Sequence, residues 1–144
     1  MELIIDKTSK VFFSKNSIIS NGCELRSNNN GYLHIGINTK IDNNVRIISN
    51  NSKVLIGNNV KIGIGSILNG GGGITIGDNT SLYGYVYILT STHLDRGKKN
   101  TSLNTKYIHK NVIIGNNVII KPFCIIDPGK KIKSNYTLNR WLNL

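Results

Sequence analysis

The sequence predicts an all-β fold, a parallel β-helix of about six 18-residue coils forming a single domain over 1–144. Three observations carry it: a composition that rejects helix, a six-residue period, and turn residues held in one column of that period. Of the 144 residues, 24 are Ile, 22 are Asn and 15 are Gly, while Ala and Gln are absent. The best helix formers are thus avoided in favour of β-formers and turn-formers. A helical bundle, a doubly wound α/β fold and a coiled coil fit poorly. An apolar fraction of 39% also argues for a packed core rather than disorder.

The period is clearest at the C-terminal end, where 114–137 reads IGNNVI, IKPFCI, IDPGKK, IKSNYT before Leu138. Ile114, Ile120, Ile126 and Ile132 open these hexads. The same lead column holds Ile35, Ile41 and Ile47, then Ile56, Ile62 and Leu68, then Ile76, Leu82 and Ile88. Gly often follows the lead (Gly36, Gly57, Gly63, Gly77, Gly115), and Asn stands near the turn (Asn59, Asn79, Asn117). Both residues tolerate the positive φ that a sharp corner requires. The fifth column is small or β-branched, as in Thr39, Val45, Val60, Ser66, Thr80, Val86, Thr92, Val118 and Cys124. These side chains are expected to point inward where space is tight.

Three hexads make one triangular coil, whose strands stack on the next coil at about 4.8 Å. Departures from 18 locate the insertions. Ile35 to Ile56 places three extra residues near Asn50-Asn51-Ser52, and Ile56 to Ile76 places two in Gly70–Gly73. Ile76 to Ile114 leaves about 20 residues outside the coil after Ile88, expected as an extruded loop at about 93–109. Spacing does not reveal the hand of the coil.

Over roughly residues 30–138 the chain resembles the left-handed β-helix, hexapeptide-repeat acyltransferases, and within them the sugar O-acetyltransferases. The repeat carries the resemblance, with GITIGDNTSLYGYVYILTSTHLD running into Thr90-Ser91-Thr92-His93, and the re-entry NVIIGNNVIIKPFCIIDPGKKIK. The resemblance implies a left-handed coil, a homotrimer, acetyl-CoA as donor and a sugar or saccharide acceptor. It also implies that His93 is the catalytic base at the mouth of the insertion. Acyl transfer to a hydroxyl needs a proton acceptor, and imidazole titrates near neutrality. Asn69, Ser91 and Asp95 are candidate acceptor contacts; Asp95 could also orient the imidazole. Lys121, Pro122, Lys133 and Arg140 are candidate coenzyme A contacts.

Departures from the family pattern matter. Where the family offers a small residue with a backbone N–H toward the thioester, the chain has Pro122, which has none. Gly63 stands where galactoside and maltose enzymes place an acceptor-contacting Asn. Trp141 and Leu142 are expected to cap the open end of the core. His34 in YLHIG should face outward, and His109 on the exit of the insertion is a minor candidate for a substrate contact.

The formal net charge is +11. Lys130, Lys131, Lys133 and Arg140 crowd the last coils, and Lys98, Lys99, Lys106 and Lys110 lie on or beside the insertion. Such a rim suits the phosphates of coenzyme A. Nucleic acid is not expected, since basic residues and aromatics are not interleaved as in a stacking platform. The three histidines, at 34, 93 and 109, lack the H-x4-H pair of the γ-class carbonic anhydrases, so no metal is expected. Cys23 and Cys124 read as buried thiols. The longest N-terminal apolar run is three residues, and no 18-residue apolar stretch occurs, so a cytoplasmic protein is expected. The sequence reading is therefore an acetyl-CoA-dependent O-acetyltransferase acting on a sugar of a surface polysaccharide or its precursor. N-acetylation of an amino sugar and an inactive structural β-helix are the alternatives.

Overall fold

A computed structural model describes residues 1–93 and 107–139. Three parallel sheets run the length of a prism, each contributing one strand to each of six coils. Sheet A stacks Glu2–Ile5, Glu24–Asn28, Arg46–Asn50, Ile67–Asn69, Tyr87–Leu89 and Ile125–Ile126. Sheet B stacks Lys10–Phe13, Tyr32–Ile35, Lys53–Ile56, Ile74–Ile76, Val112–Ile114 and Lys131–Ile132. Sheet C stacks Ile18–Ile19, Lys40–Ile41, Lys61–Ile62, Ser81–Leu82, Ile119–Ile120 and Thr137–Leu138. The chain visits A, B and C in turn, so the prism has edges AB, BC and CA. Among the described residues no helix is long and apolar enough to cross a membrane.

The six-residue period works because the strands from Ile35 onward each offer the core an aliphatic lead residue, and most corners at edges BC and CA offer one small one. All fourteen lead residues, from Ile35 to Leu138, are buried. The fifth column follows them inward at Thr39, Val45, Val60, Ser66, Thr80, Val86, Val118 and Cys124. Burial also pushes the Cys124 thiol pKa up. The buried hydroxyls are bonded, as burial demands. The Thr39 hydroxyl donates to the Gly57 carbonyl (2.8 Å) and accepts from the Val60 N–H (3.1 Å). Thr92 departs from the expected column. It sits half-buried on an antiparallel strand outside the coil, because the backbone leaves the prism after Thr90 and the period no longer constrains it.

Corners are built in rows. At edge BC, Asn16, Asn38, Asn59, Asn79, Asn117 and Asn135 all take φ between 54° and 60°, the left-handed conformation that Asn tolerates. A second row locks the coils together through side chains. Ile37 N–H donates to Asn58 Oδ1 (2.8 Å), Asn58 N–H to Asp78 Oδ1 (2.8 Å), and Asp78 N–H to Asn116 Oδ1 (2.7 Å). Asp6 acts alike at edge AB, accepting from the Asn29 N–H and the Thr8 hydroxyl. The Asn29 N–H, then Ser9 and Thr8, hold its carboxyl at about 2.

The prism begins earlier than the resemblance implies. Leu3 stacks on Leu25 and Leu25 on Ile47, a repeat of 22 residues. Strands Glu24–Asn28 and Tyr32–Ile35 bury two residues each (Leu25 with Ser27, Leu33 with Ile35), which breaks the hexads there. Asn50–Ser52, Gly70–Gly73 and the long insertion all lie on edge AB, one coil after another.

The row Gly36, Gly57, Gly77, Gly115 has a steric cause. A Cβ at Gly77 would lie 2.6 Å from the Gly115 carbonyl carbon and oxygen, and backbone in a stacked rung cannot retreat. Gly77→Ala should destabilise the protein by about 1–3 kcal/mol, the usual cost of overpacking. Urea unfolding measures this; an unchanged midpoint would refute the rung-on-rung contact.

Candidate active site

Edge AB of the fifth coil carries the excursion. Ser91–His93 leaves the prism and Tyr107–His109 returns antiparallel to it, pairing Ser91 with His109, Thr92 with Ile108 and His93 with Tyr107. Thr90 fixes the root. Its carbonyl accepts the Lys110 N–H (2.8 Å), and its hydroxyl donates to the Asn69 carbonyl (2.7 Å) while accepting the Gly72 N–H (2.8 Å). The hairpin is thereby tied at both ends to the Gly70–Gly73 corner below it.

Just above the root, Ser91 Oγ and His109 Nδ1 are 2.8 Å apart. The Tyr107 ring stacks over the His109 ring with centroids 6.3 Å apart. A cavity of about 810 Å3 opens beside the pair, walled by Gly71, Gly72, Lys53, Asn111 and His109. A second, of about 540 Å3, lies where Ser91 and Tyr107 face Lys110, Asp127 and Lys130. Hydroxyl, imidazole and an open polar cleft thus meet in one place, where an acceptor hydroxyl can be bound and deprotonated.

The predicted site residues separate by edge. Asn69 and Ser91 meet at edge AB, and the backbone of His93 lies two residues beyond Ser91 on the same strand. Lys121 and Pro122 stand at edge CA, with the Lys121 ammonium 4.9 Å above the Tyr83 ring. Lys133 stands at edge BC, 5.9 Å above the Tyr136 ring. Asp95, Arg140, Trp141 and Leu142 lie outside the described residues, as do Lys98, Lys99 and Lys106. His34 faces outward from its strand and bonds Ser14 Oγ through Nε2 at 3.0 Å. Gly63 belongs to edge CA, where a Cβ would lie 1.9 Å from the Tyr83 carbonyl oxygen. An Asn cannot replace it without moving backbone. Among the described residues no three His, Cys, Asp or Glu side chains group as a metal site.

From sequence alone His109 is only a minor candidate. Eighteen residues separate it from Ser91, and only the antiparallel register of the hairpin makes them neighbours. The available signal was the near-symmetric placement of two histidines about one insertion. Pro122 has a local reason for being tolerated. In this row of edge CA the N–H groups serve side chains rather than the ladder, that of Asn21 bonding Asn43 Oδ1 (3.1 Å) and that of Asn43 bonding Asp42 Oδ1 (2.7 Å), so proline removes no ladder bond.

The glycine corner separates structure from function. A Cβ at Gly72 would meet the Thr90 carbonyl oxygen at 2.6 Å and the Lys110 nitrogen at 2.9 Å, whereas at Gly71 it meets only Ser91 Oγ (3.5 Å) and His109 Nδ1 (3.9 Å). Gly72→Ala should lower stability by about 1–3 kcal/mol through overpacking. Gly71→Ala should melt within a few degrees of the parent yet slow turnover by crowding the pair. Equal melting temperatures for the two variants would contradict this.

A scan against protein-family models finds no match, and a search of curated proteins finds none either. Solved structures do match in shape. A hexapeptide transferase family protein from Anaplasma phagocytophilum superposes with TM-score 0.65 at 20% identity, covering 94% of this chain and 72% of that one. The polysialic acid O-acetyltransferase OatWY gives 0.62 at 23%, covering 99% and 78%. A variant of AntD, an N-acyltransferase from Bacillus cereus, gives 0.61 at 20%, covering 96% and 76%. That structure is a complex with dTDP-4-amino-4,6-dideoxyglucose and coenzyme A. The chain therefore has the parallel β-helix fold of the hexapeptide transferases.

Proposed function

We propose that the protein is an acetyl-CoA-dependent O-acetyltransferase acting on a sugar hydroxyl of a surface polysaccharide or its precursor, in the cytoplasm. The observation that carries this is the hairpin at edge AB. It brings a histidine strand, a serine–histidine pair and a large cavity to one corner of a transferase-type prism. N-acylation of an amino sugar is the alternative, favoured by the likeness to AntD; the same base would serve an amine.

In the proposed reaction His93 takes the proton of the acceptor hydroxyl as its oxygen attacks the thioester carbonyl carbon. The carbon–sulfur bond then breaks, and the coenzyme A thiolate recovers the proton from the imidazolium. No acyl-enzyme forms. Asn69, Ser91 and Asp95 are assigned to the acceptor, and His109 joins them through its bond to Ser91. Lys121, Lys133 and Arg140 supply positive charge for the coenzyme A phosphates. Pro122 offers the thioester no N–H, so the oxyanion donor lies elsewhere.

His93→Ala should lower turnover by about 10²–10⁴, the usual worth of a positioned general base, with a nearly unchanged melting temperature. A thiol-release assay with acetyl-CoA over a panel of sugars reads this. If activity stays within threefold of the parent, His93 is not the base and His109 takes its place.

A homotrimer is part of the proposal. Ile64, Tyr83, Tyr85, Phe123 and Ile125 form an exposed apolar strip along edge CA, suited to contact between copies. Light scattering should give three times 15.9 kDa; a monomer at micromolar concentration would remove this assembly.

Pro122→Ala restores an N–H at the row the family uses. Coenzyme A affinity should change by tenfold at most, since one neutral hydrogen bond contributes about 0.5–1.5 kcal/mol. Turnover should be equal or higher, because an added oxyanion donor is worth up to about 10²–10³. Calorimetry showing no coenzyme A binding by the parent at millimolar concentration would favour an inactive, structural β-helix.

A further inference from the structure

The cavity at edge AB is longer than the catalytic corner requires. Its wall takes Asn29 from the second coil, Asn50 from the third, Gly71 from the fourth, and His109 with Asn111 from the fifth. Four successive coils give three rung spacings, about 14 Å at about 4.8 Å per rung. That spacing is close to the length one pyranose adds to a glycan chain. The volume, about 810 Å3, lies near the top of the roughly 300–1,000 Å3 that holds a whole ligand. A single sugar would leave most of it to water.

The lining chemistry is that of hydroxyl recognition. A sugar hydroxyl both donates and accepts, and an Asn amide offers two donors and an acceptor with two lone pairs. Asn29 Nδ2 donates to Asn50 Oδ1 at 2.7 Å, which orients both amides and leaves each with further bonding capacity. Among the described residues lining the groove there is no Asp or Glu, while Lys53 is present. With a chain-wide charge of +11, the field favours an anionic ligand. A nucleoside diphosphate fits less well. Pyrophosphate is held by clustered cations or a helix N-terminus, and this wall offers one lysine and no helix.

Building on the acyltransferase reading, we propose that the groove binds an acidic glycan of three or four sugars. The acceptor is then an oligosaccharide chain rather than a lone or nucleotide-activated sugar. The reacting hydroxyl lies at the His109 end, and the remaining sugars run down the edge toward Asn50 and Asn29.

Two size-graded series, galacturonate oligomers and α2,8-linked sialate oligomers from one to six units, test this by calorimetry without coenzyme A. In at least one series the dissociation constant should fall at least tenfold from monomer to tetramer and then level off. Asn50→Ala, checked for an unchanged melting temperature, should abolish that length dependence. Lys53→Gln should weaken the tetramer several-fold and flatten its salt dependence. Affinity independent of length in both series, or thymidine diphosphate binding as tightly as the tetramer, overturns the proposal. Thiol release from acetyl-CoA with the tetramer is read separately. Length-dependent binding without release keeps the groove and rejects the acyltransferase, whereas release without length dependence does the reverse.

Discussion

Everything in this protein depends on the register of one coil on the next. The backbone N–H groups of a strand donate to carbonyls of a neighbouring coil, whose strand lies about 4.8 Å away, so a residue shares its conformation with those stacked above and below. One left-handed residue at edge BC therefore requires a left-handed residue in every coil, and six asparagines supply it. In four successive coils a Cβ at this corner would press on the backbone or side chains of the next coil, and the row from Gly36 to Gly115 results. Periodicity in the sequence is the direct consequence of stacking in space.

The same constraint decides where variation can go. A residue added within a sheet would flip every following side chain to the wrong face, so extra length must enter at a corner and stay there. Edge AB takes nearly all of it: Asn50–Ser52 and then Gly70–Gly73, followed by the hairpin rooted on Thr90. Edge BC keeps its short corner through all six coils and edge CA through the first five. The corner free to change is also the one with the large cavity and the paired Ser91 and His109. On the proposed reading, chemistry sits where the repeat has released the chain.

How much was legible in the sequence follows from this. The fourteen lead residues are legible because each fills an inward position of its strand and recurs at six within its coil. The chain before Ile35 shows no such period, because the first two coils repeat at 22 residues, the strands of the first bury no residue, and Glu24–Asn28 buries Leu25 with Ser27. Thr92 was misplaced because period alone cannot tell the last residue of a coil from the first of an excursion. The Ser91–His109 contact was invisible for a related reason. It depends on an antiparallel pairing whose register is set by Thr90 and Lys110, neither of which carries a motif. The alternation of YLHIG did place His34 outward, since strand periodicity of two is local and needs no partner.

Edge CA shows what happens when a row breaks its own rule. Gly22, Asn44 and Gly65 hold positive φ there cheaply, but the next two rungs use Tyr85 (φ 51°) and Phe123 (φ 64°), where bulky side chains pay strain. The rings recover part of that cost from each other. They stack with centroids 5.3 Å apart and planes 3° apart, and Gly65 below leaves the flat space on which the Tyr85 ring lies. Strain retained at an exposed position implies a use for the exposed rings. On the proposed reading these rings flank Lys121 and Pro122, while His93 and Ser91 stand at the far end of sheet A. Five residues from Pro122 to Asp127 cover about 16 Å of strand, too far for the side chains of the two edges to share one small substrate. The two groups of residues can serve one reaction only through a long donor lying across sheet A, or through a neighbouring copy that brings its edge CA to this edge AB.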